Sequence, residues 1–469
     1  MQTFERQGTV FLPAGAGPEI VKRRARRFPA SNDNNDLKEI TLQSAPGEKQ
    51  EDIKGTGDAP VASIQPEWVL DRKSHNVLVL VLAGIMAIGP FATDMYLPGF
   101  LAIARGLKTD IARVGLSLTS YFIGVCIGQI IYGPLLDRYG RKKPLMLGLL
   151  VYTAASVGCA FSPTIHLLVA MRFLAGFGAC VGMVGSRAVV RDLFSGAEMA
   201  RMLSLLMMVF GIAPIVAPTI GSFVVSAFGW QYIFLVLAAI GLLVFLAMGR
   251  FLQETKGHDA SISLHPKNVM LEYVEVFRNR AFVTYGLLAA TATAGFFSYI
   301  AGSAFVYMGL LGFTETEFGL IYGGNVIGLV LSNQVNRILL KKHSAEQVLR
   351  TVTAAQFLLI MFLVIGGLAG FVGKASILVL IFCYLFGFGC VTSNAIALAL
   401  EPFTRNAGTA SALIGSLQMV GGAVSSGLLS YLHNGTIVPM VSMMAGCTCV
   451  GLLLLLGSAL AVKRTPRNR

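Results

Sequence analysis

Asp94 and Arg172 are charged residues set in runs that are otherwise apolar, which makes them the first candidates for chemistry. Asp94 stands in Gly89-Pro90-Phe91-Ala92-Thr93-Asp94-Met95-Tyr96-Leu97-Pro98. A charge in hydrocarbon costs about 2.5–3.5 kcal/mol on insertion scales, so such residues tend to serve function. Burial favours the neutral acid. A carboxyl poised between its two forms near the working pH can carry a proton. Asp94 lies near one end of its apolar run, so a solvated, structural role among headgroups is the alternative. Arg172 lies about seven residues inside its own run, roughly 10 Å deep at 1.5 Å per residue. Asp94 reaches a comparable depth from the same surface. The two could share one polar cavity, directly or through water.

Three further groups of residues could act with them. Gly133-Pro134-Leu135-Leu136-Asp137-Arg138-Tyr139-Gly140-Arg141-Lys142-Lys143 follows the second apolar run. Gly133 would permit close approach of another helix, and Gly140 a tight turn. Asp137 can face the positive N-terminal end of a neighbouring helix, and Arg141 can engage a carboxylate. Ordinary loop charge accounts for Arg141, Lys142 and Lys143, but not for Asp137 between two glycines. In the fifth run, Gly211, Pro214, Pro218 and Gly221 remove backbone bonds and permit bending. Tyr96, Gln129, Tyr299, Asn325, Asn333, Asn394 and Gln418 could line a cavity; interhelical hydrogen bonding is the other use for such residues. Phe91, Tyr96, Tyr121, Phe122, Phe296, Phe297 and Tyr299 would make an adaptable apolar wall, or else face lipid.

The elements that must position these residues follow from composition. The chain has 469 residues, 55% apolar and 13% charged. Its mean hydropathy is +0.69. A soluble domain carries about 25% charged residues, so this is an all-α integral membrane protein. A helix needs about 20 apolar residues to cross the hydrocarbon. The spans are 76–98, 113–136, 145–162, 165–188, 200–225, 231–250, 281–305, 316–338, 349–371, 375–398, 408–431 and 437–461. The connection 251–280 divides them six and six, giving bundles over 76–250 and 281–462. Asp137-Arg138 through Lys142-Lys143 aligns without a gap with Asn336-Arg337 through Lys341-Lys342, at equivalent places in the two halves. That fits an internal repeat, a common transporter plan.

Residues 1–75 carry 11 basic and 11 acidic residues without apolar periodicity, and read as a disordered tail. The run Lys22, Arg23, Arg24, Arg26, Arg27 could attract anionic headgroups. No signal-peptide pattern begins the chain. Outside the tail, Arg105, Lys108, Arg113 and Lys374 fall on one side of the spans and Arg172 inside one. The other lysines and arginines share the side of the tail, the central connection and the C-terminal segment 463–469. Both ends are therefore expected to be cytoplasmic. The seven cysteines lie in apolar stretches, and Cys447-x-Cys449 reads as helix packing. The six histidines, in loops or at span ends, give no metal site. A phosphate-cradling GxxxxGK[ST] is missing, which argues against an ATP-driven pump. The net charge of +13 forms no nucleic-acid face.

The loop from Gly133 to Lys143 resembles the signature loop of the major facilitator superfamily, and Arg172-Phe173-Leu174-Ala175-Gly176 that family's fourth-helix motif, with Ala175 in place of the usual Gln. The Pro214/Pro218 segment is similar to the antiporter motif of drug exporters, with Ser222 replacing its last Gly. Together with 89–98, Arg187 to Phe194 and Ala407 to Gln418, these stretches resemble the Bcr/CflA branch, the bicyclomycin- and chloramphenicol-resistance type of drug:proton antiporter. Ala304 and Ser393 stand where that branch has proline. The resemblance covers about 76–462. It implies twelve helices in two pseudo-symmetric six-helix bundles around a central cavity, in a bacterial inner membrane. It implies export of small, mostly apolar drug-like compounds in exchange for protons, with no cofactor and no nucleic-acid partner, by a lipid-embedded monomer. Asp94 would exchange the proton, Arg172 would tune it, and Asp137 would latch one orientation against the start of the eleventh helix.

Rival readings make different demands. A same-fold transporter of a sugar, peptide or amino-acid derivative should show several fixed polar groups in its spans, and few are present. An importer sits less well with the fifth-span motif. A membrane enzyme needs a Ser-His-Asp set, a metal motif or paired buried carboxylates; a channel needs charge rings or a filter. None of these is legible.

Overall fold

The computed structural model describes residues 72–259, 274–403 and 407–464, with side chains over 77–259, 274–403 and 409–457. The basic run at Lys22–Arg27, most of the expected tail and the middle of the central connection lie outside the described residues. Twelve long helices follow one another: α1 (Arg72–Asp94), α2 (Ile111–Tyr139), α3 (Lys142–Ala160), α4 (Ile165–Leu193), α5 (Gly196–Phe228), α6 (Trp230–Phe251), α7 (Arg280–Ala304), α8 (Glu315–Leu339), α9 (Ala345–Ala369), α10 (Lys374–Leu400), α11 (Ala407–Leu432) and α12 (Val438–Arg464). Twelve spans are long and apolar enough to cross a membrane. The described residues hold no strand. The protein is a multi-pass membrane protein.

Local chemistry sets the helix ends. Asp110 accepts a hydrogen bond from the Arg113 amide and caps α2, Thr164 caps α4, and Asn279 caps α7. α8 and α9 start in capping boxes, Thr314 with Glu317 and Ser344 with Gln347. Each box satisfies amides that a helix start leaves unpaired. Gly229, at φ +99°, makes the sharp turn between α5 and α6. These caps lie beyond the apolar windows, so the helices overrun the expected spans. α5, for example, has 33 residues. α1 begins at Arg72, inside the segment expected to be disordered. It ends at Asp94, where a 3₁₀ turn (Leu97–Gly99) leads to a short helix, Phe100–Gly106. Pro98 accounts for the break, because it has no amide to bond the Asp94 carbonyl four residues earlier and its ring crowds that carbonyl.

The packing carries the internal repeat. α2 packs on α11 and α5 on α8 across the two halves. Advancing each helix by six positions converts one pair into the other. Within the N-terminal half, α2 and α4 meet backbone to backbone. A Cβ on Gly176 would lie 2.9 Å from the Tyr121 carbonyl carbon, and one on Gly128 3.0 Å from the Phe177 carbonyl oxygen. This close crossing brings Arg172 beside Tyr121.

Candidate functional site

Asp94 sits where α1 breaks, and it is buried, at 4% exposure. Its carboxylate is held from the other half of the protein. The Tyr322 hydroxyl, on α8, donates to Asp94 Oδ1 at 3.1 Å. Tyr322 is itself fixed by stacking on Tyr299, with centroids 5.8 Å apart and planes 20° apart, and by contact with Phe318. Asn325 Nδ2 donates to the Tyr299 hydroxyl at 2.8 Å. The Tyr307 ring lies 6.3 Å from that of Tyr299, centroid to centroid. Two buried hydrogen bonds, Tyr322 to Asp94 and Asn325 to Tyr299, are thus linked by the Tyr322–Tyr299 stack, joining α1 to α7 and α8.

Arg172 is 1% exposed and lies beside this cluster without bonding the carboxylate. Its Nη1 donates to the Ala92 carbonyl at 2.9 Å. Its guanidinium lies between two rings, 4.2 Å from the Tyr96 centroid and 4.4 Å from that of Tyr121. Cation–π attraction is worth about 2 kcal/mol or more for a desolvated pair. The direct Asp94–Arg172 contact held open from sequence is replaced by this aromatic clamp. The physical reason is spacing: the guanidinium reaches a carbonyl two residues before Asp94, and the tyrosine faces occupy its flanks. Tyr96 shares a hydrogen bond of 3.4 Å with Ser117.

Aromatic rings connect the halves. Phe122 of α2 meets Phe297 of α7 at 4.2 Å, and Phe296 stacks on Phe388 at 4.7 Å with planes 10° apart. The other polar candidates are placed apart from Asp94. Gln129 approaches Gly415 of α11, where an added Cβ would lie 3.3 Å from its Oε1. Gln418 donates to Thr293 at 2.9 Å, Asn394 to Asn336 at 2.7 Å, and Asn333 accepts from Ser393 at 2.9 Å. These bonds all stay within the C-terminal half. A small cleft opens between the halves near the α1–α2 connection, lined by Gly115, Phe305, Ser430, His433 and Met440 among others, and does not reach Asp94.

The loop after α2 is tied down within its own half. Arg141 Nη1 bonds Asp137 at 2.7 Å, and its Nε bonds Asp192 of α4 at 2.7 Å. Burial opposes the charge on Arg141, but the hydrogen bonds to Asp192 and Asp137 more than offset it, leaving its pKa raised. Glu254 accepts from the Lys142 amide at 3.1 Å, and the Asp259 amide donates to the Arg138 carbonyl at 2.9 Å. Gly140 takes φ +86°, which its lack of a side chain allows. Gly133 differs from the expectation of a close helix approach: an added Cβ there would meet nothing within 4 Å. Among the described residues, nothing packs against its face of α2. The side chains of 404–408, where the expected partner of Asp137 begins, lie outside the described residues.

α5 remains helical through Pro214 and Pro218. Gly211 has no close neighbour, its added Cβ being 4.0 Å from Val330. Gly221 is different. An added Cβ there would lie 2.8 Å from the carbonyl carbon of Met95, beside Asp94, and nearer still to its oxygen. Ser222, which looks like a mere departure from a motif, donates to the Glu315 carbonyl of α8 at 2.7 Å. Tyr322 and Ser222 are the residues that sequence reasoning missed. The cue for Tyr322 was its place three residues before Asn325, on the same helical face.

The sequence matches the family model described as Major Facilitator Superfamily over residues 80–426. This chain belongs to the Major Facilitator Superfamily. It is 34% identical over 392 residues to the uncharacterized MFS-type transporter YdgK of Bacillus subtilis (strain 168), covering 82% of this chain and 96% of that one. It is 31% identical over 394 residues to a bicyclomycin resistance protein homolog of Haemophilus influenzae, covering 81% and 96%. Multidrug resistance protein D of Escherichia coli (strain K12) is 28% identical over 369 residues, covering 77% and 90%. These relatives accord with the Bcr/CflA branch. Among solved structures, a peptide transporter in complex with sulfate shares the fold at TM-score 0.67 and 14% identity, covering 82% of this chain and 94% of that one. A D-xylose–proton symporter does so at 0.65 and 15%, covering 82% and 97%. This major facilitator is a transporter, as its family is, with the two six-helix halves characteristic of the fold.

Proposed function

We propose that this transporter exports small, mostly apolar drug-like compounds across a bacterial inner membrane in exchange for protons, by alternating access. Its termini would be cytoplasmic, with residues 76–250 and 281–462 as the two moving halves. The observation that carries the reading is the placement of Asp94. It is a buried carboxyl at the seam between the halves, bonded to Tyr322 of the opposite half and flanked by one buried guanidinium. In such a place the carboxyl is withdrawn from bulk water, and the Tyr322 hydroxyl stands ready to donate to its ionised form, so the site can hold a proton or do without one. In the proposed cycle, Asp94 releases its proton to the cytoplasm and the deprotonated site accepts the compound. Opening to the other side frees the compound and reloads the proton. Coupling requires that both ligands bias the same two-state equilibrium. The aromatic groups around Phe122, Phe296, Phe297 and Phe388 would supply an apolar surface tolerant of varied shapes. The names of the relatives, which speak of bicyclomycin and multidrug resistance, support the substrate class.

The test uses inside-out membrane vesicles energised by respiration, with bicyclomycin and a panel of other antibiotics added in turn. Discharge of the proton gradient by a compound with the wild type supports exchange. If no antibiotic discharges it and a sugar, peptide or amino-acid derivative does, the transporter serves a metabolite instead.

A further inference from the structure

We infer that Tyr322 is the positioning residue through which the C-terminal half senses the charge on Asp94, keeping the halves joined at this end of the membrane while the carboxyl is ionised. The inference deepens the proposed exchange and rests on Asp94 being its proton carrier.

Three hydrogen bonds among the described residues join the halves: Thr119 with Ser426 at 2.9 Å, Ser222 to the Glu315 carbonyl at 2.7 Å, and Tyr322 to Asp94 at 3.1 Å. All lie toward the end of the helices that carries the α1–α2 and α7–α8 connections. The first two involve hydroxyls and a backbone carbonyl, whose charge does not change with pH. The third ends on a carboxyl. A phenol donating to a carboxylate makes a charge-assisted bond, roughly twice as strong as the same bond to a neutral acid. Protonating Asp94 therefore loosens one of three ties between the halves and leaves the other two unchanged.

The surroundings let this one change dominate. The groups facing Asp94 are Tyr121 from α2, Tyr299 from α7 and Tyr322 from α8, while Arg172 from α4 holds the Ala92 carbonyl two residues away. α5 presents Gly221 there, which carries no charge. Phenols and guanidinium keep their protons through the physiological range. Asp94 is thus the group in the cluster that switches. Tyr322 is well placed to transmit the switch, because its ring is clamped between Tyr299 and Phe318 and cannot easily follow Asp94 if α1 moves.

The consequence is a rule for exchange. An exchanger leaks if it changes orientation while both empty and deprotonated, since the compound then crosses without its proton. The Tyr322–Asp94 bond is strongest in that state. Protonation weakens it, and a compound seated between the halves displaces Tyr322 from the carboxylate, so the carrier turns with either ligand and is held when it has neither.

The experiment needs no transported compound. Spin labels are placed at Arg105→Cys and Tyr431→Cys, exposed positions on opposite halves at this end, in a chain whose seven native cysteines are replaced. His433, which also titrates near this face, is changed to Phe throughout. Inter-label distances are measured in liposomes at pH 5 and pH 8. The parent chain is expected to show a closed population at pH 8 whose ratio to the open one falls roughly three- to fifteenfold at pH 5, the range for losing about half the strength of a hydrogen bond to a charged group. Tyr322→Phe keeps the ring stack, and should show no pH shift, with a ratio at or below the parent's pH 5 value at both pH values. Ser222→Ala should lower the ratio at both and preserve the pH shift. A full pH shift in Tyr322→Phe, or none in the parent chain, overturns the inference. A full shift in Asp94→Asn removes the proton-carrier reading beneath it. Failure to transport any drug bears on the substrate class alone.

Discussion

Replacing Gly221 with alanine tests whether α5 sets the position of Asp94. The added Cβ would lie 2.8 Å from the Met95 carbonyl carbon and 3.2 Å from its Cα. Carbon atoms pack best at about 3.5–4.0 Å. The neighbouring atoms are backbone, so no rotamer relieves the clash, and because the Met95 carbonyl oxygen is nearer still the two segments must separate by roughly 1 Å or more. The hydrogen bond from Tyr322 to the adjacent Asp94 is 3.1 Å long. A shift of that size along the bond stretches it to about 4 Å or more, beyond hydrogen-bonding range. Overpacking of this kind costs about 1–3 kcal/mol. At about 2–4 °C per kcal/mol for a large domain, Tm should fall by roughly 2–12 °C. Scanning fluorimetry of the purified transporter gives that number. Gly133→Ala is the control: its Cβ meets nothing within 4 Å, and alanine raises helix propensity, so Tm should hold or rise. Equal Tm values for Gly221→Ala and wild type, with coupled transport intact, would refute the reasoning that α5 bears directly on the proton site.

Other consequences concern stability and selectivity. Burial holds the His433 imidazole below its ordinary pKa of 6.5, with Asp110 pulling the other way. The folded protein then resists protonation more than the unfolded chain does, so stability present above pH 6.5 is lost as pH falls from 6.5 toward the lowered value. His433→Phe, which keeps an aromatic ring against Phe305, should flatten that part of a Tm-against-pH curve. Asn394→Ala leaves Asn336 without its 2.7 Å partner and should cost about 1–3 kcal/mol. Because that bond lies apart from Asp94, the order of preference among transported compounds should not change, as competition assays would show.

The fold was legible because its signal is long and redundant. Twelve apolar runs stand out against a 13% charged composition, and the long central connection divides them evenly. Their ends were less legible, since caps such as Asp110, Thr314 and Ser344 lie beyond the apolar windows and are set by local hydrogen bonds. Within the site, Asp94 and Arg172 announced themselves as charges among apolar residues. Their partners did not. Tyr322 is 228 residues from Asp94, and its place three residues before Asn325 is the one local cue that sets it apart from other span tyrosines. Ser222 illustrates the same limit, because a residue judged as a missing glycine makes a bond to α8 that depends on how the halves meet. Gly133 and Gly221 are a complementary pair. Both sit in motifs, yet the crossing geometry leaves one with no close neighbour among the described residues and presses the other against Met95.

The most direct test of the central claim is transport by purified protein in liposomes under an imposed pH gradient, with radiolabelled bicyclomycin as the first compound. Wild type should accumulate the compound at the expense of the gradient. Asp94→Asn should still exchange labelled for unlabelled compound when no gradient is present, and should lose gradient-driven accumulation. Accumulation by Asp94→Asn at the wild-type level would contradict the account, because the proton would then be carried elsewhere.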